Sequence, residues 1–252
     1  MKAYLLIGLC CVWSAGVLWA EPMHDHIKIA QDNADAIVAI NVLKKDGSTF
    51  TGTGFVLSPD GLIATNKHVM NQALYANITF NSGIVSAEAR EVAKADKVDL
   101  SVLQINAQHL PYVTLGDSDT VLPGQTITVI GNPRRLQNTV SSGLISQVRQ
   151  KSDGTLWHQI SAPISHSSSG SPVFNANGEV ISIAFGSYAG EGDQNLNFAV
   201  PVNYLKTLLA QNGYILPEKE TKENASSSTN RFWAHLQKSW EIAKRIFSAE
   251  QK

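Results

Sequence analysis

The sequence predicts an all-β fold made of barrels or sandwiches, and three observations support this class. Short apolar or alternating runs follow one another from residue 37 to residue 200, and turn residues separate them. No helical periodicity alternates with these runs, as it would in a parallel α/β sheet. Hydrophobic residues make up 43% of the 252 residues and charged residues 16%. That composition can bury a sizeable core, and it excludes a long disordered protein or a charge-rich coiled coil.

Each element is predicted from a local signal. Clustered or alternating apolar residues predict ten strands, at residues 37–42, 52–57, 62–65, 78–80, 100–105, 126–130, 139–146, 157–161, 180–185 and 196–200. Residues 58–61 (SPDG) and 175–178 (NANG) each end in glycine between two such runs and are predicted to be hairpin turns. Residues 202–211 are predicted to form a helix that ends at Gly213.

The N-terminal residues 1–20 are predicted to be a secretory signal peptide, because one lysine precedes a long apolar run. An uncleaved membrane anchor is the alternative, since about 18 apolar residues can just span a bilayer. The polar Glu21 that follows favours cleavage. Both cysteines, Cys10 and Cys11, lie in this segment, so the mature chain would need no disulfide. We therefore expect a bacterial protein that is exported to the periplasm or secreted, or anchored to the membrane if the segment is retained.

Composition divides the remaining chain into three parts. Residues 21–217 contain the strand pattern and are predicted to form the globular domain. Residues 218–230 are charged and then serine-rich, which indicates a linker. Aromatic and aliphatic residues recur at spacings of three and four within residues 231–252, which predicts an amphipathic helix. This helix could pack on the globular domain, mediate self-association or contact a membrane surface.

The net charge argues against a nucleic-acid partner, and the histidine pattern gives little support for a metal site. Lys and Arg number 20 and Asp and Glu 21, so a net charge of −1 gives no basic surface for nucleic acid. His24 and His26 flank Asp25 near the start of the mature chain and could ligate a metal. Isolated histidine pairs near a terminus are mostly incidental, however. We therefore expect no metal and no other cofactor.

Three segments place a histidine, an aspartate and a serine in contexts that suit nucleophilic catalysis. His68 follows a predicted strand, Asp96 and Asp99 precede another, and Ser169 lies in the turn-rich residues 165–174 (SHSSSGSPVF). A catalytic serine needs a tight turn that exposes its hydroxyl, a base that takes its proton and an acid that orients the base. Each residue alone would be interpreted as structural or solvated. Together, in the order His, Asp, Ser and each at the edge of a predicted strand, they are hard to explain as coincidence and indicate nucleophilic catalysis.

These segments resemble those of the chymotrypsin-type serine proteases, specifically the bacterial HtrA/Deg branch. The resemblance covers roughly residues 33–210 and rests on motifs at residues 52–69 (GTGFVLSPDGLIATNKHV), 96–103 (DKVDLSVL), 115–119 (LGDSD), 129–133 (VIGNP) and 197–201 (NFAVP). It implies two six-stranded antiparallel β-barrels, with His68 as general base, Asp99 as orienting acid and Ser169 as nucleophile. Many relatives carry a PDZ domain after the protease. The residues after Pro217 are too few for one, so we expect none.

The resemblance also implies an oxyanion hole and a substrate pocket. The backbone N–H groups of Ser167 and Ser169 would stabilise the oxyanion. The family has glycine where this chain has Ser167, and a positive φ there would strain a serine. The expected pocket has Pro163 at its base, Ala184, Phe185 and Gly186 on one wall and Leu196 on another. No acidic residue lies at the base, which favours a small or medium aliphatic side chain over Arg or Lys.

Two functions fit these observations. The first is an exported serine endopeptidase that hydrolyses peptide bonds in protein or peptide substrates through an acyl-enzyme, a reaction suited to protein quality control. The second is a catalytically weak or inactive binding or chaperone module on the same fold. The complete set of His68, Asp99 and Ser169 favours the first.

Overall fold

The computed structural model describes residues 25–81, 85–86, 88–132, 138–165, 167–188 and 196–217. In these ranges the chain forms fourteen β-strands in two sheets, two α-helices and three short 3₁₀-helices. The helices are α1 (His26–Asn33) and α2 (Val202–Gln211), and the 3₁₀-helices are Ala34–Ala36, Lys67–Met70 and Ser118–Thr120. No helix in the described part of the chain is long and apolar enough to cross a membrane.

The first sheet is a half-barrel of seven antiparallel strands. They are β1 (Ile37–Lys44), β2 (Thr49–Val56), β3 (Leu62–Thr65), β4 (Ala73–Phe80), β5 (Val85–Ser86), β6 (Arg90–Lys94) and β7 (Ser101–Gln104). Their order in the sheet is β5-β4-β1-β2-β3-β7-β6. Across the described residues the two outer strands, β5 and β6, do not pair with each other. This sheet is therefore open.

The second sheet closes into a barrel. Its strands are β8 (Thr114–Leu115), β9 (Thr126–Gly131), β10 (Thr139–Gln150), β11 (Leu156–Ile160), β12 (Pro172–Phe174), β13 (Glu179–Tyr188) and β14 (Leu196–Pro201). Pairing of β12 with both β9 and β13 closes six of them into a ring. The seventh strand, β8, lies parallel to β13 at the outside of this ring.

The predicted all-β class is confirmed, and the closed second sheet has the expected six barrel strands. The first sheet differs in detail, because β5 and β6 extend it to seven strands without closure. Both predicted hairpin turns form: the N–H of Gly61 donates to the Ser58 carbonyl and that of Gly178 to the Asn175 carbonyl, each at 3.1 Å. Helix α2 has the predicted bounds, and Gly213 follows it with a φ of 74°.

Some predictions were incomplete, and others fall outside the described residues. Helix α1 was not predicted, because no clear periodicity marks it. Its N-cap is Asp25, whose carboxylate accepts the Lys28 N–H at 3.0 Å. His26 is therefore the first residue of an α-helix. Strands β5, β6, β8 and β12 are not among the ten predicted strands, because two to five residues carry too little periodicity. The predicted signal peptide, linker and C-terminal amphipathic helix lie outside the described residues.

Two apolar clusters hold the sheets together. The first fills the half-barrel around Phe55 and Leu103 and continues through Phe174 of the second sheet to Leu205 of α2. The second occupies the closed barrel and includes Ile127. The first cluster spans both sheets, so it fixes their faces against each other and holds the loops between them in place.

Candidate active site

His68 and Asp99 are brought together by the pairing of two neighbouring strands. Strand β3 runs antiparallel to β7, with Thr65 opposite Ser101. The residues that follow β3 therefore lie beside those that precede β7. His68 lies in the 3₁₀-helix directly after β3, and Asp99 lies two residues before β7.

Two hydrogen bonds fix the orientation of the His68 imidazole. Its Nδ1 lies 2.6 Å from Asp99 Oδ2, and the His68 backbone N–H donates to Asp99 Oδ1 at 2.9 Å. A carboxylate can only accept, so Nδ1 carries the proton and Nε2 is left unprotonated in the neutral ring. The His68 side chain is 39% exposed, which leaves the ring accessible from solvent. This is the arrangement that a histidine base requires.

The segment that carries Asp99 is itself held to the residues before His68. The Asn66 side-chain amide donates to the Asp99 carbonyl at 2.8 Å. The Lys67 ammonium donates to the carbonyls of Ala95 and Asp96 at 2.9 and 3.1 Å. These bonds tie the residues before His68 to those around Asp99, which fixes the two segments against each other.

Ser169 lies in a tight turn between β11 and β12. In this turn the Ser168 N–H donates to the Ser165 carbonyl at 2.9 Å, and the Ser171 N–H to the Ser168 carbonyl at 3.0 Å. Gly170 has a φ of 89°, and a Cβ there would overlap the carbonyl oxygen of Thr53. Only glycine fits that position.

The backbone of the Ser169 turn lies close to the His68 segment, on either side of Gly52. A Cβ added at Gly52 would lie 2.8 Å from the Val69 side chain and 3.4 Å from the Ser169 carbonyl, so the two segments meet at this glycine. The Ser169 hydroxyl itself donates to the Phe185 carbonyl at 3.4 Å. As described, His68 and Ser169 share no hydrogen bond, so the hydroxyl must rotate before it can transfer a proton to the imidazole.

Ser167 adopts the left-handed conformation that glycine normally occupies. Its φ is 76°, which strains a residue with a side chain. In the described chain, neither its N–H nor that of Ser169 donates to a protein acceptor. Both donors are therefore available to a ligand. The serine that replaces the family's glycine at position 167 has the positive φ that was expected to strain it.

The five residues expected to form the substrate pocket differ in burial and in the surfaces they contact. Ala184 is fully buried in the interior of the closed barrel, so its methyl group packs in the core. Phe185 is the extra residue of a β-bulge between Ala184 and Gly186, and Gly186 faces open space. Leu196 is half-buried. Pro163 lines a cavity of about 180 Å³ whose other lining residues are Val129, Gly131, Thr139, Ser141, Ile164, Ser165, Ser168 and Ser171.

Of the five expected residues, only Pro163 lines this cavity, and the five-residue pocket stays a prediction. The preference for an aliphatic side chain therefore stays a prediction.

An aromatic cluster beside the serine turn was missed by the sequence reasoning. The ring of Trp157 lies 5.0 Å from that of Phe185 and 5.6 Å from that of Phe198, centroid to centroid. The Lys151 ammonium lies over the Trp157 ring at 4.6 Å. The three rings are half-buried, and the cluster begins at the residue whose carbonyl accepts the Ser169 hydroxyl. Alternation along β14, which points Phe198 away from the buried Asn197 and Ala199, was the only sequence signal.

Two other histidines in the described part of the chain, His158 and His26, have structural partners. Burial lowers the pKa of His158 to about 4, and its Nδ1 lies 2.5 Å from the Ser182 hydroxyl inside the closed barrel. It is therefore neutral near pH 7. His26 bonds through Nδ1 to the Thr128 hydroxyl at 2.8 Å, and His24 lies outside the described residues. Among the residues described, no three His, Cys, Asp or Glu side chains are grouped so that they could hold a metal.

Two facing β-sheets with a His–Asp pair on one and a serine turn on the other define the chymotrypsin-like class. A family model described as a trypsin-like peptidase domain matches residues 52–183, more than half of the chain. The chain belongs to this family.

Curated relatives place the chain near the HtrA/Deg proteases. It is 36% identical over 159 residues to the putative serine protease HhoB of Synechocystis sp., and the aligned region covers 60% of this chain and 38% of HhoB. It is 36% identical over 156 residues to a probable periplasmic serine endoprotease DegP-like of Halomonas elongata, covering 60% and 33%. It is 31% identical over 198 residues to the serine protease HTRA1B of Danio rerio, covering 73% and 40%. The chain thus spans less than half the length of these relatives.

Solved structures agree with this placement. The HtrA-type protease AlgW with tripeptide has a TM-score of 0.69 and 26% identity, covering 74% of this chain and 63% of that one. The serine endoprotease from Yersinia pestis has a TM-score of 0.66 and 29% identity, covering 75% and 66%. The resemblance to the HtrA/Deg branch that the motifs indicated is confirmed.

Proposed function

We propose that this chain is an exported serine endopeptidase that cleaves peptide bonds with His68, Asp99 and Ser169. The proposal rests on two hydrogen bonds in a chain of the trypsin-like peptidase family. Asp99 Oδ2 lies 2.6 Å from His68 Nδ1, and Asp99 Oδ1 accepts the His68 backbone N–H at 2.9 Å. A histidine fixed in this tautomer presents an unprotonated Nε2 and can act as a general base.

The reaction proceeds through an acyl-enzyme. The Ser169 hydroxyl leaves the Phe185 carbonyl, gives its proton to His68 Nε2 and attacks the substrate carbonyl carbon. The N–H groups of Ser167 and Ser169 stabilise the oxyanion that forms. The tetrahedral intermediate then collapses: the C–N bond breaks, His68 returns the proton to the leaving amine, and the acyl group stays on Ser169. Water repeats the sequence and releases the acid.

The substrates of the proposed enzyme are proteins or peptides, and its compartment is the periplasm or the medium. Support for this comes from relatives named periplasmic serine endoproteases and from an HtrA-type structure solved with a tripeptide. The half-buried rings of Trp157, Phe185 and Phe198 beside the serine turn offer an apolar surface. Such a surface suits apolar side chains that an unfolded protein exposes, which would fit a role in quality control.

A second candidate function is a binding or chaperone module with weak or no activity. Two observations favour it. Ser167 occupies a strained left-handed conformation, and the Ser169 hydroxyl is directed at the Phe185 carbonyl instead of His68. The set of His68, Asp99 and Ser169 favours the endopeptidase over this alternative.

Active-site labelling separates the two candidates. We expect a fluorophosphonate probe to label the full chain and the chain to cleave casein, because the probe reacts only with an activated serine. Ser169→Ala should abolish both signals and leave the circular dichroism spectrum unchanged. Ser168→Ala is the matched control, one residue away in the same turn, and should keep both. Absence of labelling and cleavage in the folded wild-type chain would leave the binding module as the function.

A further inference from the structure

Thr53 joins the half-barrel to the serine turn of the closed barrel. It lies on β2, is fully buried, and pairs across the sheet with Ala39. Its backbone N–H donates to the Ser169 carbonyl at 2.8 Å. The two residues are more than a hundred positions apart in the chain, so this bond connects the two sheets directly at the candidate nucleophile.

The Thr53 hydroxyl both donates and accepts a hydrogen bond. It donates to the carbonyl of Ser167 at 2.8 Å and accepts the Asn132 backbone N–H at 3.0 Å. The Thr53 carbonyl accepts the Thr65 hydroxyl at 2.8 Å. Because every polar atom of Thr53 is bonded, its hydroxyl can point in only one direction, toward Ser167.

The residue held by that hydroxyl is the strained one. Ser167 has a φ of 76°, and a serine released from its restraints would return to negative φ. That rotation would turn the Ser167 N–H away from the oxyanion position. The Thr53 hydroxyl bonds to the Ser167 carbonyl, on the C-terminal side of that residue. Rotation of the peptide between Ser167 and Ser168 would break this bond.

We propose that Thr53 is a positioning residue for the oxyanion hole: its hydroxyl keeps Ser167 in the left-handed conformation that directs the Ser167 N–H at the substrate. The inference rests on the proposed endopeptidase function, because it concerns the same site. Thr53 does not touch the reacting atoms and acts only through Ser167. The hydroxyl is the active group, and the methyl group only fills space.

A double-mutant cycle tests this role. We expect Thr53→Val, which keeps the shape and removes the hydroxyl, to lower kcat on labelled casein by about 10- to 100-fold, less than the loss of a complete oxyanion donor. KM should change by less than about twofold, because substrate binding in the ground state does not use the oxyanion hole. Thr53→Ser should retain kcat within about threefold, since it keeps the hydroxyl.

The decisive comparison is the same change in a Ser167→Gly chain. Glycine adopts positive φ without strain, so Thr53→Val there should lower kcat by less than about threefold. A purely structural role for Thr53 would give the same loss in both chains, and that result would overturn the proposal. So would a Thr53→Ser variant as impaired as Thr53→Val, because it would assign the effect to the methyl group.

Controls separate this proposal from stability and from the proposed function. Thr128→Val removes another fully buried threonine hydroxyl, on β9, and should change the melting temperature without moving kcat by more than about twofold. If Thr53→Val does not fold, Thr53→Ala takes its place in both chains. Labelling of the wild-type chain by the fluorophosphonate probe is measured first. A labelled wild type with equal losses in the two chains refutes the role of Thr53 alone, whereas an unlabelled wild type refutes the endopeptidase.

Discussion

Replacing Ser167 by glycine is expected to raise kcat and to stabilise the fold slightly. The motive is the φ of 76° at Ser167, a conformation in which a Cβ is crowded by the backbone. The Ser167 N–H is one of the two donors assigned to the oxyanion hole, so relief of strain at this residue favours the productive form of the turn.

The change in the free energy of unfolding is the sum of two opposing contributions. A residue other than glycine in the left-handed region costs about 1 to 2 kcal/mol in the folded state. Glycine lowers this cost but increases the freedom of the unfolded chain, which offsets about 0.4 to 1 kcal/mol. The net gain in unfolding free energy is therefore about 0 to 1.5 kcal/mol. The unfolded chain does not affect kcat, so the gain in kcat is limited by the strain term alone: about 1 to 2 kcal/mol corresponds to a rise of at most about 5- to 30-fold.

The assay compares Ser167→Gly with Ser167→Ala. Both variants lose the hydroxyl, but only glycine loses the strain, so only Ser167→Gly should gain in kcat on casein and in the midpoint of urea unfolding. Equal behaviour of the two variants would assign the effect to the hydroxyl. A Ser167→Gly chain that is less stable and no faster than the wild type would refute the reasoning, because Ser167 would then be comfortable in a competent turn.

Two further outcomes are expected. Asp99→Asn should lower kcat on casein by about 10⁴, because an amide favours the wrong His68 tautomer; a loss under tenfold would remove Asp99 from the triad. His158 is neutral in the fold with a pKa near 4, whereas in the unfolded chain it gains a proton below about 6.5. Its contribution to stability is therefore complete above pH 6.5 and is lost as the pH falls toward 4. Between pH 7 and pH 5 it should lower the unfolding free energy by about 2 kcal/mol. Urea unfolding at both pH values should show a smaller loss for His158→Gln than for the wild type, and an equal loss would contradict the assignment.

Features that depend on a few neighbouring residues could be predicted from the sequence. Strand β3 has the predicted bounds of residues 62–65, and α2 has those of residues 202–211. The hairpin turn at residues 58–61 forms because Gly61 takes a φ of 99° between two apolar runs. His68 and Asp99 could be paired in advance for a similar reason. Each belongs to a local motif at a strand end, and the family places those strands side by side.

Only the tertiary structure decided the features that join distant parts of the chain. The bond from Thr53 to Ser167 crosses 114 positions. The cluster of Trp157, Phe185 and Phe198 depends on the register of three strands and on the bulge at Phe185. Local periodicity says which face of a strand is apolar, but not which strand becomes its neighbour or where the register shifts. The direction of the Thr53 hydroxyl and the φ of Ser167 depend on how the two sheets pack against each other. Thr53 lies on the first sheet, and its partners Ser167 and Asn132 lie between strands of the second.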